Sequence, residues 1–152
     1  MKKISLMFLL LVSIEIQNNI VFSHFYTGKT EFVLTNPNKD EKKLISLWRS
    51  VVKVESNNGR YLFNEIENAI GVSQIRPIMI EEVNQILGYN KYSHEQAWDS
   101  ITSFNIFKDF QKHFNPDFDL ERGSRMWNGG RLGMNKESTL SYYEKILIYE
   151  NI

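Results

Sequence analysis

The sequence predicts a mainly α-helical domain, on three observations. Leu44, Leu47, Trp48 and Val51 recur at the i, i+3, i+4, i+7 spacing of one helical face, and further apolar stripes succeed it along the chain. Start and stop residues bound these stripes, among them Asn38, Gly59, Gly88, Pro116 and the pair Gly129-Gly130. No cysteine is present, so the core alone must hold the domain together, without a disulfide framework.

The first two dozen of the 152 residues stand apart from that pattern. Lys2 and Lys3 precede an apolar run from Ile4 to Ile14, and Val21-Phe22-Ser23 offers fairly small residues for a signal peptidase, so 1–23 reads as a secretory signal peptide. The apolar run is shorter than the ~20 residues a bilayer span requires, and stable membrane insertion after cleavage is not expected. The expected destination is the periplasm or the extracellular space. Cleavage after Ser23 would leave about 130 residues, room for one core and no second domain. Setting aside Lys2, Lys3 and Glu15, the eighteen basic and eighteen acidic residues become sixteen and seventeen, with no basic run longer than a pair. Nucleic acid, which is bound through phosphate neutralisation, is therefore not an expected partner. Aromatic residues make up 13% of the chain, which suits either core packing or a cleft that stacks flat ligands.

Residues 24–37 read as an N-terminal arm with a short extended piece at Glu31 to Leu34, and 38–152 as the domain proper. Asn38 opens a first helix, with Glu41 completing a capping-box-like pair. Its apolar stripe passes through Val51, and the next position on it is Glu55; Asn57, Asn58 and Gly59 then end the helix. Residues 60–70 fit a short β-hairpin or an irregular loop. Ser73 is the expected N-cap of a second helix through Ile75, Ile78, Val83 and Leu87, with Pro77 in its first turn and Gly88 as its stop. A third helix is expected from His94 or Glu95. It carries Ala97, Trp98, Ile101, Phe104, Phe107, Phe110 and Phe114 on more than one face, which predicts the central, most buried element. Beyond Pro116, Asp117 or Asp119 opens a fourth helix ending at Trp127-Asn128-Gly129-Gly130, and a fifth spans about Ser138 to Tyr149 with Leu140, Tyr143, Ile146 and Leu147 inward. Trp48 and Trp98 are assigned to the core, with a sugar subsite as the other reading of Trp98.

Glu55 is the residue that breaks the pattern. Either the stripe ends at Val54 and Glu55 leans into solvent, or its carboxyl group sits at the edge of an apolar cleft. There the charged form is disfavoured and the pKa rises. A carboxyl group of that kind can donate a proton near neutral pH, as general-acid cleavage of a glycosidic bond requires. Other chemistry finds little support. His24, His94 and His113 show no metal-ligand spacing. Residues 115–121 place oxygen ligands at alternate positions like part of a calcium loop, but Leu120 stands where such a loop needs glycine, and acids at a helix start explain them. No metal site is expected.

Four pieces, Glu55-Ser56, Asn68 to Pro77 (NAIGVSQIRP), Ser124 to Gly130 (SRMWNGG) and Tyr142 to Leu147 (YYEKIL), resemble in order and spacing the catalytic domain of the soluble lytic transglycosylases, relatives of goose-type lysozyme. The resemblance spans about residues 44–148 and implies a lysozyme-like helical domain. It implies Glu55 as the single catalytic acid/base and Ser56 as the serine that helps organise the site. Gln74 becomes the glutamine facing the sugar, Asn128 the asparagine of a Tyr-Asn pair, and Tyr142 the tyrosine of the last motif. Trp127 stands where the family has tyrosine. An indole only donates, so a hydroxyl contact near the carboxylate is either lost or supplied by Tyr142. Gly130 fits the family glycine, Gly129 replaces a common alanine, and 60–67 lacks the family's small-residue run.

The implied reaction is lytic cleavage of peptidoglycan, with no cofactor. Glu55 protonates the β-1,4 oxygen between N-acetylmuramic acid and N-acetylglucosamine, then removes the proton of the muramic C6 hydroxyl, which closes on C1 to give a 1,6-anhydro sugar. A two-carboxylate hydrolase would want a second acid at ~5 Å or ~6.5–9.5 Å. Glu65 and Glu67 are the loop acids that could approach Glu55, so lysozyme-type hydrolysis is the alternative. Trp127 leaves room for a third reading, a module that binds glycan without cutting it.

Overall fold

The computed structural model describes residues 37–150 together with the backbone of two strands nearer the N-terminus. Those strands, β1 (Ile20–His24) and β2 (Thr30–Leu34), pair antiparallel with Ile20 opposite Leu34 and His24 opposite Thr30. The extended piece expected at Glu31 to Leu34 is thus a strand, and its partner spans the expected cleavage point. The rest of the expected signal peptide lies outside the described residues.

The remaining chain, Lys39–Ile152, forms a separate compact unit that is mainly helical, with one two-stranded hairpin. Helix α1 (Lys39–Ser56) buries Leu44, Leu47, Trp48 and Val51, the stripe read from sequence. It packs against α5 (Leu140–Glu150) and α4 (Leu120–Gly129). Helix α3 (Ser100–Phe114) has Ile106, Phe107 and Phe110 wholly inaccessible, although α4, with half of its residues buried and none exposed, is the more buried of the two, so the expectation that this helix is the most buried does not hold. Its rings meet those of the neighbouring helices: Trp48 lies 5.1 Å from Phe107, and Trp127 lies 4.9 Å from Phe107 and 5.6 Å from Phe110, the latter two edge-on. Edge-to-face packing of this kind adds ~0.5–1.5 kcal/mol per pair beyond the area buried.

Several boundaries differ from expectation for identifiable reasons. Residues 60–70 are not among them, for they form the hairpin that was one of the two expectations, β3 (Phe63–Asn64) against β4 (Ala69–Ile70). Helix α2 (Pro77–Leu87) starts at its proline, with Arg76 in the N-cap position and no side-chain cap. Ser73 does not cap it. Its hydroxyl is 2.8 Å from that of Ser103 on α3, a buried contact only the tertiary fold provides. The inward face of α2 is Met79, Ile80, Val83 and Asn84, whereas Ile78 is exposed and Ile75 lies before the helix, bridged to Ile70. The expected third helix is two elements, a 3-10 turn at Glu95–Trp98 and then α3, whose N-cap Asp99 accepts from the Thr102 N–H at 2.7 Å. The break turns Trp98 outward to 48% exposure, tilted against the exposed Phe63, so Trp98 is not a core residue. Asp119 caps α4 through the Arg122 N–H at 2.8 Å, and Asp117 pairs with Arg122 at 3.6 Å. Helix α5 buries Tyr142 and Ile146, while Leu140 is 40% exposed.

Candidate active site

Glu55 lies one turn beyond Val51 on the buried side of α1, at the point where the helix stops. The stop is built by Ser56, which is fully buried; its hydroxyl donates to the Val52 carbonyl at 3.0 Å and accepts from the Gly59 N–H at 2.9 Å. Asn57, Asn58 and Gly59 come next in the left-handed region, which turns the chain away before it can cover the carboxyl group. On the other side α5 brings the Tyr142 hydroxyl, which donates to Glu55 Oε1 at 2.8 Å.

In front of Glu55 opens a cleft of about 230 Å³ lined by Glu55, Glu67, Gln74, Arg76, Trp127 and Asn128, with Ile75 and Met79 beneath. Four of the six site residues that the resemblance implied, Glu55, Gln74, Trp127 and Asn128, therefore converge, from α1, the 71–76 loop and the end of α4. Ser56 and Tyr142 do not line the cleft: both are buried, and they fix the helix end and the carboxyl group from behind. Substrate contact is thus not their place in this geometry. The hydroxyl in doubt once tryptophan stands at 127 is present near the carboxylate, and Tyr142 supplies it.

The 71–76 loop is held under constraint. Gly71 has φ +76°, and a Cβ there would collide with the Ala97 carbonyl oxygen. Gln74 is a non-glycine residue at φ +52°, a conformation that costs on the order of 1 kcal/mol or more. Its Nε2 donates to the carbonyls of Gly71 at 3.0 Å and Tyr61 at 3.2 Å. These bonds offset the strain and orient the amide with its nitrogen committed to the loop. Its oxygen takes part in neither bond.

Burial pushes the Glu55 carboxyl group up to about 7. The Tyr142 hydrogen bond and the charges of Arg76 and Lys145 favour its ionised form, while Glu67 adds to the rise. Desolvation is the largest of these effects and outweighs the partners that favour the charge. The carboxyl group is therefore poised to give a proton near neutral pH and to take it back. Tyr142 is itself held well above its ordinary value, first by burial and then by Glu55, so it stays a donor.

Arg76 is the charged cleft residue that sequence reasoning missed. Its backbone is extended, and the buried Ile75 sits between it and Gln74. The alternation Gln-Ile-Arg before Pro77 was the available signal. Glu65 is exposed and does not line the cleft, whereas Glu67 does. Among the described residues no group of three histidine, cysteine or acidic side chains could hold a metal, and no helix is long and apolar enough to cross a membrane. Comparisons with protein-family models, curated proteins and solved structures gave no match to this chain.

Proposed function

We propose that this protein is an exported lytic transglycosylase with a lysozyme-like fold, cleaving the β-1,4 bond between N-acetylmuramic acid and N-acetylglucosamine in peptidoglycan. The observation that carries the reading is the Glu55 carboxyl group, raised by burial to about 7, braced by Tyr142 and facing a cleft with Gln74 and Asn128. Glu55 protonates the glycosidic oxygen and, once ionised, takes the C6 hydroxyl proton as that oxygen closes on C1. The anhydro sugar forms without consuming water, so one carboxyl group serves both steps. Neither a metal nor a cofactor has a part in this scheme.

Glu67 favours a second reading. It is an acid on the same cleft, and a lysozyme-type hydrolase could use it to direct water. Digestion of purified sacculi with subsequent mass analysis separates the two. Anhydro ends, one water lighter than reducing ends, are expected, and they should vanish in Glu55→Gln. Reducing ends alone would favour hydrolysis. Glycan binding with no turnover in either protein would leave only a binding module.

A further inference from the structure

We propose that Arg76 reads a carboxylate on the saccharide bound in the cleft, making strands with an ionised muramic-side carboxylate the preferred substrate. The inference rests on the glycan-cleaving function and names a specificity that function does not contain.

Arg76 lines the cleft, and its one hydrogen bond among the described residues is Nη2 to the Asn128 carbonyl at 3.3 Å. A guanidinium carries five N–H donors, so most of its capacity is unspent. Among the described residues no carboxylate lies within 4.0 Å of it, although Arg122 and Arg125 each have an acidic partner at that range. Its charge nevertheless acts on Glu55, with which it lines the same cleft. Glu67, the other acid of the cleft, is exposed and forms no ion pair with Arg76, so solvent screens its repulsion of an incoming anion. A half-buried guanidinium on the wall of a cleft is suited to a carboxylate, which it can grip with two parallel hydrogen bonds.

Within a β-1,4 amino-sugar strand, neutral N-acetylglucosamine offers no such group and the muramic unit does. Its lactyl carboxylate is ionised where the peptide has been removed and is an amide where a stem is attached, in which case the stem's own carboxylates are the remaining candidates. Both sources present the same chemistry to Arg76, and a choice of three substrates distinguishes them.

The experiment compares turnover and binding of three muramic-containing strands: peptide-free, peptide-free with the lactyl carboxylate converted to a methyl amide, and stem-bearing. The proteins are wild type, Arg76→Gln, which keeps a donor for the Asn128 carbonyl but loses the charge, and Arg76→Lys, which keeps the charge but not the fork. Wild type should favour the peptide-free strand over its methyl amide about tenfold in kcat/KM and in Kd, the size of one charge-assisted contact. Arg76→Gln should bring that ratio near one and Arg76→Lys should retain part of it. A ratio of one between those two strands, with the stem-bearing strand preferred, would assign the contact to a stem carboxylate. No preference for either anionic strand in wild type, or an unchanged preference in a folded Arg76→Gln, overturns the proposal. The wild-type ratio and its loss at high salt need no variant. If wild type cuts none of the strands, the transglycosylase reading fails, while the Kd ratios still decide the role of Arg76.

Discussion

At the scale of single residues, Glu55 sets both the chemistry and its cost. Its folded pKa of about 7 lies above the ordinary 4.5, so between those values the unfolded chain releases this proton before the folded one does. Stability therefore falls as pH rises through that window, and the loss is complete above it. Allowing for screening of a half-buried group, it amounts to about 2 kcal/mol. Glu55→Gln should accordingly be more stable than wild type by about 2 kcal/mol at pH 8 and nearly equal to it at pH 4, read from urea midpoints. Tyr142→Phe removes the hydrogen bond that favours the ionised carboxyl group. The basic limb of its pH–rate profile should move to higher pH, and turnover should drop about tenfold as the carboxylate loses its brace. An unmoved limb would mean that the hydroxyl does not act on Glu55. Glu55 was legible in the sequence because an acid on an apolar stripe departs from a 3.6-residue rhythm. Arg76 was not, because whether a loop cation faces a cleft or open water depends on how Gly71 to Gln74 turn.

At the scale of elements, accuracy tracked the number of local signals that agreed. For α1 the stripe, the capping residues and the Asn-Asn-Gly stop all point the same way, and the helix lies where they put it. For α2 they conflict. Pro77 suits the first turn, but Ser73 and Ile75 suggested an earlier start, and Ser73 is occupied by Ser103, thirty residues further on. The inward face of α2 is set by packing on α3, which exposes Ile78 and buries Met79 and Ile80. The split of the third helix had a local signal in Asp99, a good N-cap three residues before Thr102, but the continuous run of apolar residues masked it. Gly71 packs close under the Ala97 carbonyl, where the cleft loop meets the 3-10 turn. Gly71→Ala should cost about 3 kcal/mol, from left-handed strain together with overpacking against backbone. A thermal melt of the purified variant checks this, and a midpoint matching wild type would show that the loop can move aside.

For the molecule as a whole, the helical class could be read from sequence because the core is continuous: Trp48, Phe104, Phe107, Phe110 and Trp127 join α1, α3 and α4 around one aromatic cluster. All of these residues lie in the unit Lys39–Ile152. A chain of residues 37–152 should therefore unfold in one cooperative transition with probe-independent midpoints, and two separated transitions would contradict a single core. The cleft depends on that core, since α1 and α4 carry Glu55 and Asn128 to it and α5 braces the acid from behind. The most direct test is NMR titration of the Glu55 side-chain carboxyl carbon in the folded protein. The expected midpoint is near pH 7, moving upward in Tyr142→Phe. A midpoint near 4.5 in both proteins would show a solvated carboxylate and contradict the proton-donating role.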